Sequence, residues 1–79
     1  MISPLQCRMA RTALGWSAAD LGERAAVSRT TISRFELEKT EPNRATLAVL
    51  RQTFEGAGVE FLDGDEPGVR LKRSAEASA

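Results

Sequence analysis

The sequence predicts a mainly all-α fold, a compact unit of four to five short helices that includes a helix-turn-helix and closes in a C-terminal β-hairpin. Three observations carry that prediction. Apolar residues recur at spacings of three and four as far as Ala57, the period of one buried helix face. A capping residue, Ser3, Ser17, Ser28 or Asn43, stands just ahead of each such stretch. Past Gly58 the period falls to two, in Val59-Glu60-Phe61-Leu62 and Val69-Arg70-Leu71-Lys72, on either side of a run rich in turn residues.

The first helix is expected from Pro4 to about Leu14. Ser3 caps it, and Pro4 is tolerated at the first helical position because its missing N–H has no partner there anyway. Leu5, Met9, Ala10, Ala13 and Leu14 form the expected inner face, with Arg8, Arg11 and Thr12 in water, Cys7 half-buried and Gly15 at the left-handed end. Ser17-Ala18-Ala19-Asp20 has the form of a capping box and opens a short second helix that stops by Ala25 or Ala26. Ser28, with apolar Val27 before it, caps a third helix from Arg29 to about Leu37.

A polar connector leads to Pro42, which disfavours helix at Glu41, and Asn43 caps the fourth helix. Leu47, Leu50, Phe54 and Ala57 are its core stripe, and Gly56 and Gly58 end it. Residues 1–58 thus read as the helical helix-turn-helix domain, 59–72 as a strand pair and 73–79 as a small, polar, flexible tail.

Composition narrows the function. At 79 residues and 8.6 kDa the chain has the length of one small domain, with no space for a catalytic or metabolite-sensing domain, so no small-molecule ligand is expected. A single cysteine excludes an internal disulfide framework, and without histidine no zinc cluster or imidazole acid–base site is expected, so no metal or cofactor is. No nucleophile has a base beside it, and there is no glycine-rich phosphate loop, so an enzyme is not expected and no residue is assigned a catalytic role. No signal peptide or long apolar run is visible, which implies no membrane partner and a cytoplasmic location.

The formal charge of zero conceals a division. Residues 1–35 carry five arginines against two acids, a net of +3, residues 36–66 three basic against eight acidic, a net of −5, and the remainder a net of +2. A polyanion responds to the field of one face, so a basic N-terminal half is compatible with a nucleic acid despite the neutral total.

Two short helices joined by about three residues have the dimensions of a helix-turn-helix, whose second helix enters the major groove N-terminus first. Ile32 and Phe35 point inward, so the helical period turns Thr30, Ser33 and Arg34 outward, with Arg29 at the exposed end. That face offers two guanidinium groups, which suit guanine O6 and N7, and two hydroxyls, with no carboxylate. Ser17, Ser28, Thr31 and the first amides of both helices are placed for phosphates.

Gly15 to Leu21, Val27-Ser28-Arg29-Thr30-Thr31-Ile32-Ser33-Arg34-Phe35-Glu36, Pro42 and Thr46-Leu47 together resemble the phage repressor and Cro-like (XRE) helix-turn-helix family, over roughly residues 3–58. The closing Gly58-Val59-Glu60-Phe61 and Pro67-Gly68-Val69-Arg70-Leu71 are similar to small bacterial members with little beyond the DNA-binding domain. The resemblance implies a repressor-like fold that binds double-stranded operator DNA as a two-fold dimer. It places base reading on Arg29, Thr30, Ser33 and Arg34, and phosphate contacts near Ser28 and Thr31.

Three positions depart from that pattern. Ala18 stands where the family commonly has a glutamine that touches a phosphate and braces the recognition helix, which implies weaker DNA binding. Ala26 replaces the usual turn glycine; a left-handed backbone there would strain it by about 1 kcal/mol, and a slight adjustment of the turn is the expected outcome. Glu38 replaces a helix-ending glycine, and with Glu36 and Glu41 it gathers carboxylates near the presumed DNA backbone.

Trp16, one of four aromatics, reads as a packing staple for the second helix. The hairpin, with Val59, Phe61, Val69 and Leu71, is barely stable alone and leaves free edges. Pairing with its twin across a two-fold axis would resolve this in a homodimer; packing back on the first helix in a monomer is the alternative. The leading function is a sequence-specific DNA-binding transcriptional regulator. The competing one is an antitoxin-like or other interaction module that uses the same fold to bind a protein partner, suggested by Ala18 and the acidic middle.

Overall fold

The computed structural model describes residues 1–72; the flexible tail expected at 73–79 lies outside the described residues. Four helices, α1 (Pro4–Leu14), α2 (Ala18–Ala25), α3 (Arg29–Glu36) and α4 (Arg44–Gly56), precede β1 (Val59–Leu62) and β2 (Gly68–Leu71). All four expected caps form. Ser3, Ser17, Ser28 and Asn43 each accept from the backbone N–H three residues on, and Ser3 and Ser17 complete capping boxes with Gln6 and Asp20.

The strands pair antiparallel with Val59 opposite Leu71, Glu60 opposite Arg70, Phe61 opposite Val69 and Leu62 opposite Gly68. The hairpin folds back on the helices, β1 over α4 and β2 along α1. Val59 and Phe61 therefore join Leu21, Ile32, Leu50 and Phe54 in one core. Trp16 stacks on Phe54 with ring centroids 5.9 Å apart, and Phe54 meets Phe61 edge-on at 6.0 Å. The staple expected of Trp16 is thus made against α4, and the tip of the fourth-helix stripe, Ala57, falls just past the helix and is half-buried.

The face that α1 presents differs from the one expected. Leu5 is 60% exposed and Ala13 is exposed, whereas Gln6, Cys7 and Ala10 are buried. Two partners turn the helix this way. Close approach of α1 to α3 and β2 favours the small Cys7 and Ala10 at the contact, and Gln6 Nε2 donates to the carbonyl oxygens of Leu62 at 3.1 Å and Gly68 at 3.2 Å, clamping the hairpin at the base of its turn. Burial of an amide side chain is tolerable because its polar atoms are paired.

Candidate nucleic-acid interface

The α2–turn–α3 unit is built by local bonds. Ser17 Oγ accepts from the Asp20 amide at 3.0 Å and the Ser17 amide donates to Asp20 Oδ2 at 2.9 Å. These contacts, from the Ser17 amide first, hold the Asp20 carboxyl below its usual range. The chain then turns through Ala26 with φ 57° and ψ 42°, a left-handed residue whose N–H donates to Gly22 O. The expected adjustment of the turn does not occur: reversing the chain within three residues requires this backbone, and alanine accepts it.

Gly22 explains how tight the turn is. A β-carbon there would lie 2.6 Å from the Val27 carbonyl oxygen and 3.4 Å from the Arg29 amide, both backbone atoms, so α2 and the start of α3 touch through bare backbone. Beyond the turn, Ser28 Oγ accepts from the Thr31 amide at 3.1 Å and donates to Thr31 Oγ1 at 2.8 Å, which fixes the first turn of α3.

From this base Arg29, Thr30 and Arg34 stand exposed and Ser33 half-exposed on one side of α3, while Ile32 and Phe35 are buried on the other. Glu38, in left-handed backbone with φ 59°, ends the helix as a glycine would, with its N–H donating to Phe35 O and that of Lys39 to Arg34 O.

Glu36 is not free to face an anion. Arg11, expected in water, reaches across from α1 and donates from Nε to Oε2 and from Nη2 to Oε1, both at 2.7 Å, with its remaining Nη1 on Trp16 O at 3.1 Å. Side-chain exposures of 20% for Arg11 and 8% for Glu36 make this a shielded bidentate pair, and its hydrogen bond raises the Arg11 pKa. Cys7, expected half-buried, is fully buried and donates from Sγ to Glu36 Oε2 at 3.2 Å; burial first, and then Glu36, push its thiol pKa far up. Two side chains of α1, Arg11 and Cys7, thus converge on one carboxylate of the recognition helix, and the Trp16 carbonyl of the α1–α2 link holds Arg11 in place.

The four residues expected to read bases, Arg29, Thr30, Ser33 and Arg34, share one open face. Ser28 and Thr31 lie at its N-terminal end and Ser17 at the start of α2, where Asp20 already occupies the Ser17 amide. Of the expected pairing residues, Val59 and Phe61 are used by the chain's own core, Val69 is half-buried against it and Leu71 is 44% exposed. The close approach at Gly22 and the pairing of Arg11 with Glu36 lie outside the sequence expectations, which put Arg11 in water and Glu36 among the carboxylates near the DNA backbone. A helical glycine four residues ahead of an expected turn is a signal for Gly22; nothing local marks a pair separated by 25 positions.

The deciding comparison is with sequence families: a helix-turn-helix family model matches residues 8–56, more than half the chain. The chain belongs to the XRE-type helix-turn-helix family. Among solved structures it is similar to the DNA-binding domain of the P22 C2 repressor in solution, with 31% identity, a TM-score of 0.62, and coverage of 70% of this chain and 72% of that one. No curated protein sequence matches it. Family and fold are those of DNA-binding repressors and not of enzymes. No helix among the described residues is long and apolar enough to cross a membrane.

Proposed function

We propose that this helix-turn-helix protein is a sequence-specific, double-stranded-DNA-binding transcriptional regulator that lays α3 in the major groove and acts as a two-fold dimer. The observation that carries the reading is the outward face of α3: Arg29, Thr30, Ser33 and Arg34, with its nearest carboxylate, Glu36, neutralised by Arg11. Arg29 and Arg34 are suited to guanine O6 and N7, and Thr30 and Ser33 to neighbouring base edges. Ser28 and Thr31, with the N-terminus of α3, serve phosphates, and Ser17 does so through its hydroxyl.

For the dimer, the edge of β2 is the pairing element. Lys72 N–H donates to Gly58 O at 2.7 Å, which makes Gly58/Lys72 and, by alternation, Glu60/Arg70 the hydrogen-bonded pairs. Val69 and Leu71 then turn their N–H and C=O groups to the outer edge, where a second antiparallel β2 can accept them.

Selection from a pool of random-sequence duplexes at physiological salt, followed by sequencing, tests the reading. An enriched inverted repeat is expected, with half-sites about 34 Å or a multiple apart. A single unrepeated motif would leave DNA binding and remove the dimer, and no enrichment by folded protein would overturn the proposal. On an enriched sequence, Arg29→Ala or Arg34→Ala should cost about 1–3 kcal/mol and relax preference at one position per half-site. Unchanged affinity in both variants would overturn the base assignments.

A further inference from the structure

Resting on the DNA-binding reading, we infer that Arg8 on α1, outside the helix-turn-helix, is a phosphate contact that anchors the α1 flank of the recognition helix. Arg8 and Arg11 are three residues apart and share a side of α1, the side facing α3. An open groove of about 270 Å³ between the two helices is lined by Arg8, Arg11, Ser33, Glu36 and Leu37, so Arg8 borders the same space as a residue of the reading face.

The charges in that groove are unequal in their freedom. Arg11 and Glu36 neutralise each other through two 2.7 Å bonds. Arg8 is exposed and has no carboxylate within ion-pair distance among the described residues. The net charge of the groove is therefore the single positive charge of Arg8, and an arginine without a protein partner at the rim of a polyanion site is available to phosphate.

The helical wheel gives Arg8 a place at the C-terminal end of α3 that α3 itself does not fill. Each residue turns the helix by about 100°, so Arg34, two positions before Glu36, lies roughly opposite the side that α1 covers. A helix in the major groove has a phosphate backbone on either side of it. Arg34 stands toward one flank; on the flank toward α1 the cation of α3, Arg29, lies seven residues and two turns before Glu36, so beside Glu36 that flank has only Ser33, Leu37 and the sequestered Glu36 from α3. Arg8 supplies the cation on that flank.

The test is titration of a pool of random-sequence duplexes, and of any sequence enriched from it, across a series of salt concentrations with wild type, Arg8→Ala and Arg8→Lys. Arg8→Ala should weaken both DNAs by the same factor and reduce the slope of log affinity against log salt by about one. Arg8→Lys should restore most of the slope, because a phosphate contact needs the charge more than the fork. The side chain makes no hydrogen bond or ion pair among the described residues, so the thermal midpoint of Arg8→Ala should match wild type. An unchanged slope would overturn the inference, as would a loss confined to the enriched sequence, which would mark a base contact. Wild-type protein that binds neither DNA would overturn the underlying reading instead.

Discussion

At the scale of single residues, Ala26 is where the sequence sits least comfortably in its backbone. Left-handed φ and ψ cost an L-residue about 1–2 kcal/mol, and Ala26 adopts 57° and 42° with its side chain exposed, so its methyl group earns no packing in return. Ala26→Gly should raise stability by about 1 kcal/mol after the larger chain entropy of glycine is counted, a rise of roughly 4–8 °C in the thermal midpoint for a domain of this size. Circular-dichroism melts check this, and an unchanged or lower midpoint would refute it. Gly22, four residues earlier, shows the opposite constraint: its backbone is ordinary, but there is no space for a β-carbon. The two positions explain why turn chemistry was only half readable. A missing glycine at 26 is visible in sequence, whereas the 2.6 Å approach that demands one at 22 exists only after the chain has turned.

At the scale of elements, what was legible was local. Each cap joins residues three apart, so the starts of all four helices could be read directly, as could the outward face of α3 once Ile32 and Phe35 were set inward. The face of α1 could not. Leu5, Met9 and Ala13 make one small or apolar stripe and Cys7, Ala10 and Leu14 another; the choice between them is made by the hairpin carbonyls on Gln6 and by Glu36 on Arg11. The cap of α2 carries a pH prediction. A carboxyl whose folded pKa is depressed contributes stability that is present above its unfolded pKa and lost as pH falls through the folded one. Asp20 has an ordinary value of 3.8 and is lowered by the Ser17 amide and hydroxyl. Asp20→Asn should therefore lower the thermal midpoint at pH 7, and the gap from wild type should close as pH falls below 3.8. A gap that stays constant into acid would mean the carboxylate charge is irrelevant to the cap.

At the scale of the whole molecule, a line of stacked groups joins the helix-turn-helix to the hairpin. Arg24 lies over Trp16 at 4.5 Å, Trp16 stacks on Phe54, Phe54 meets Phe61, and Arg51 covers Phe61 at 5.2 Å. The hairpin's place on α4 and that of α2 are thereby set by the same rings. The opposite side is closed by α1, which reaches α3 through Glu36 and β2 through Gln6. The lone thiol sits at that seam. Because Cys7 is wholly buried and held protonated, a thiol-directed reagent can reach it only when α1 parts from α3. Its modification rate in the absence of denaturant should be orders of magnitude below that of an exposed cysteine and should climb with denaturant; a fast rate in native buffer would contradict the seam. Cys7 is in this sense a built-in reporter, its rate of modification set by how often and how long the recognition helix is without its brace.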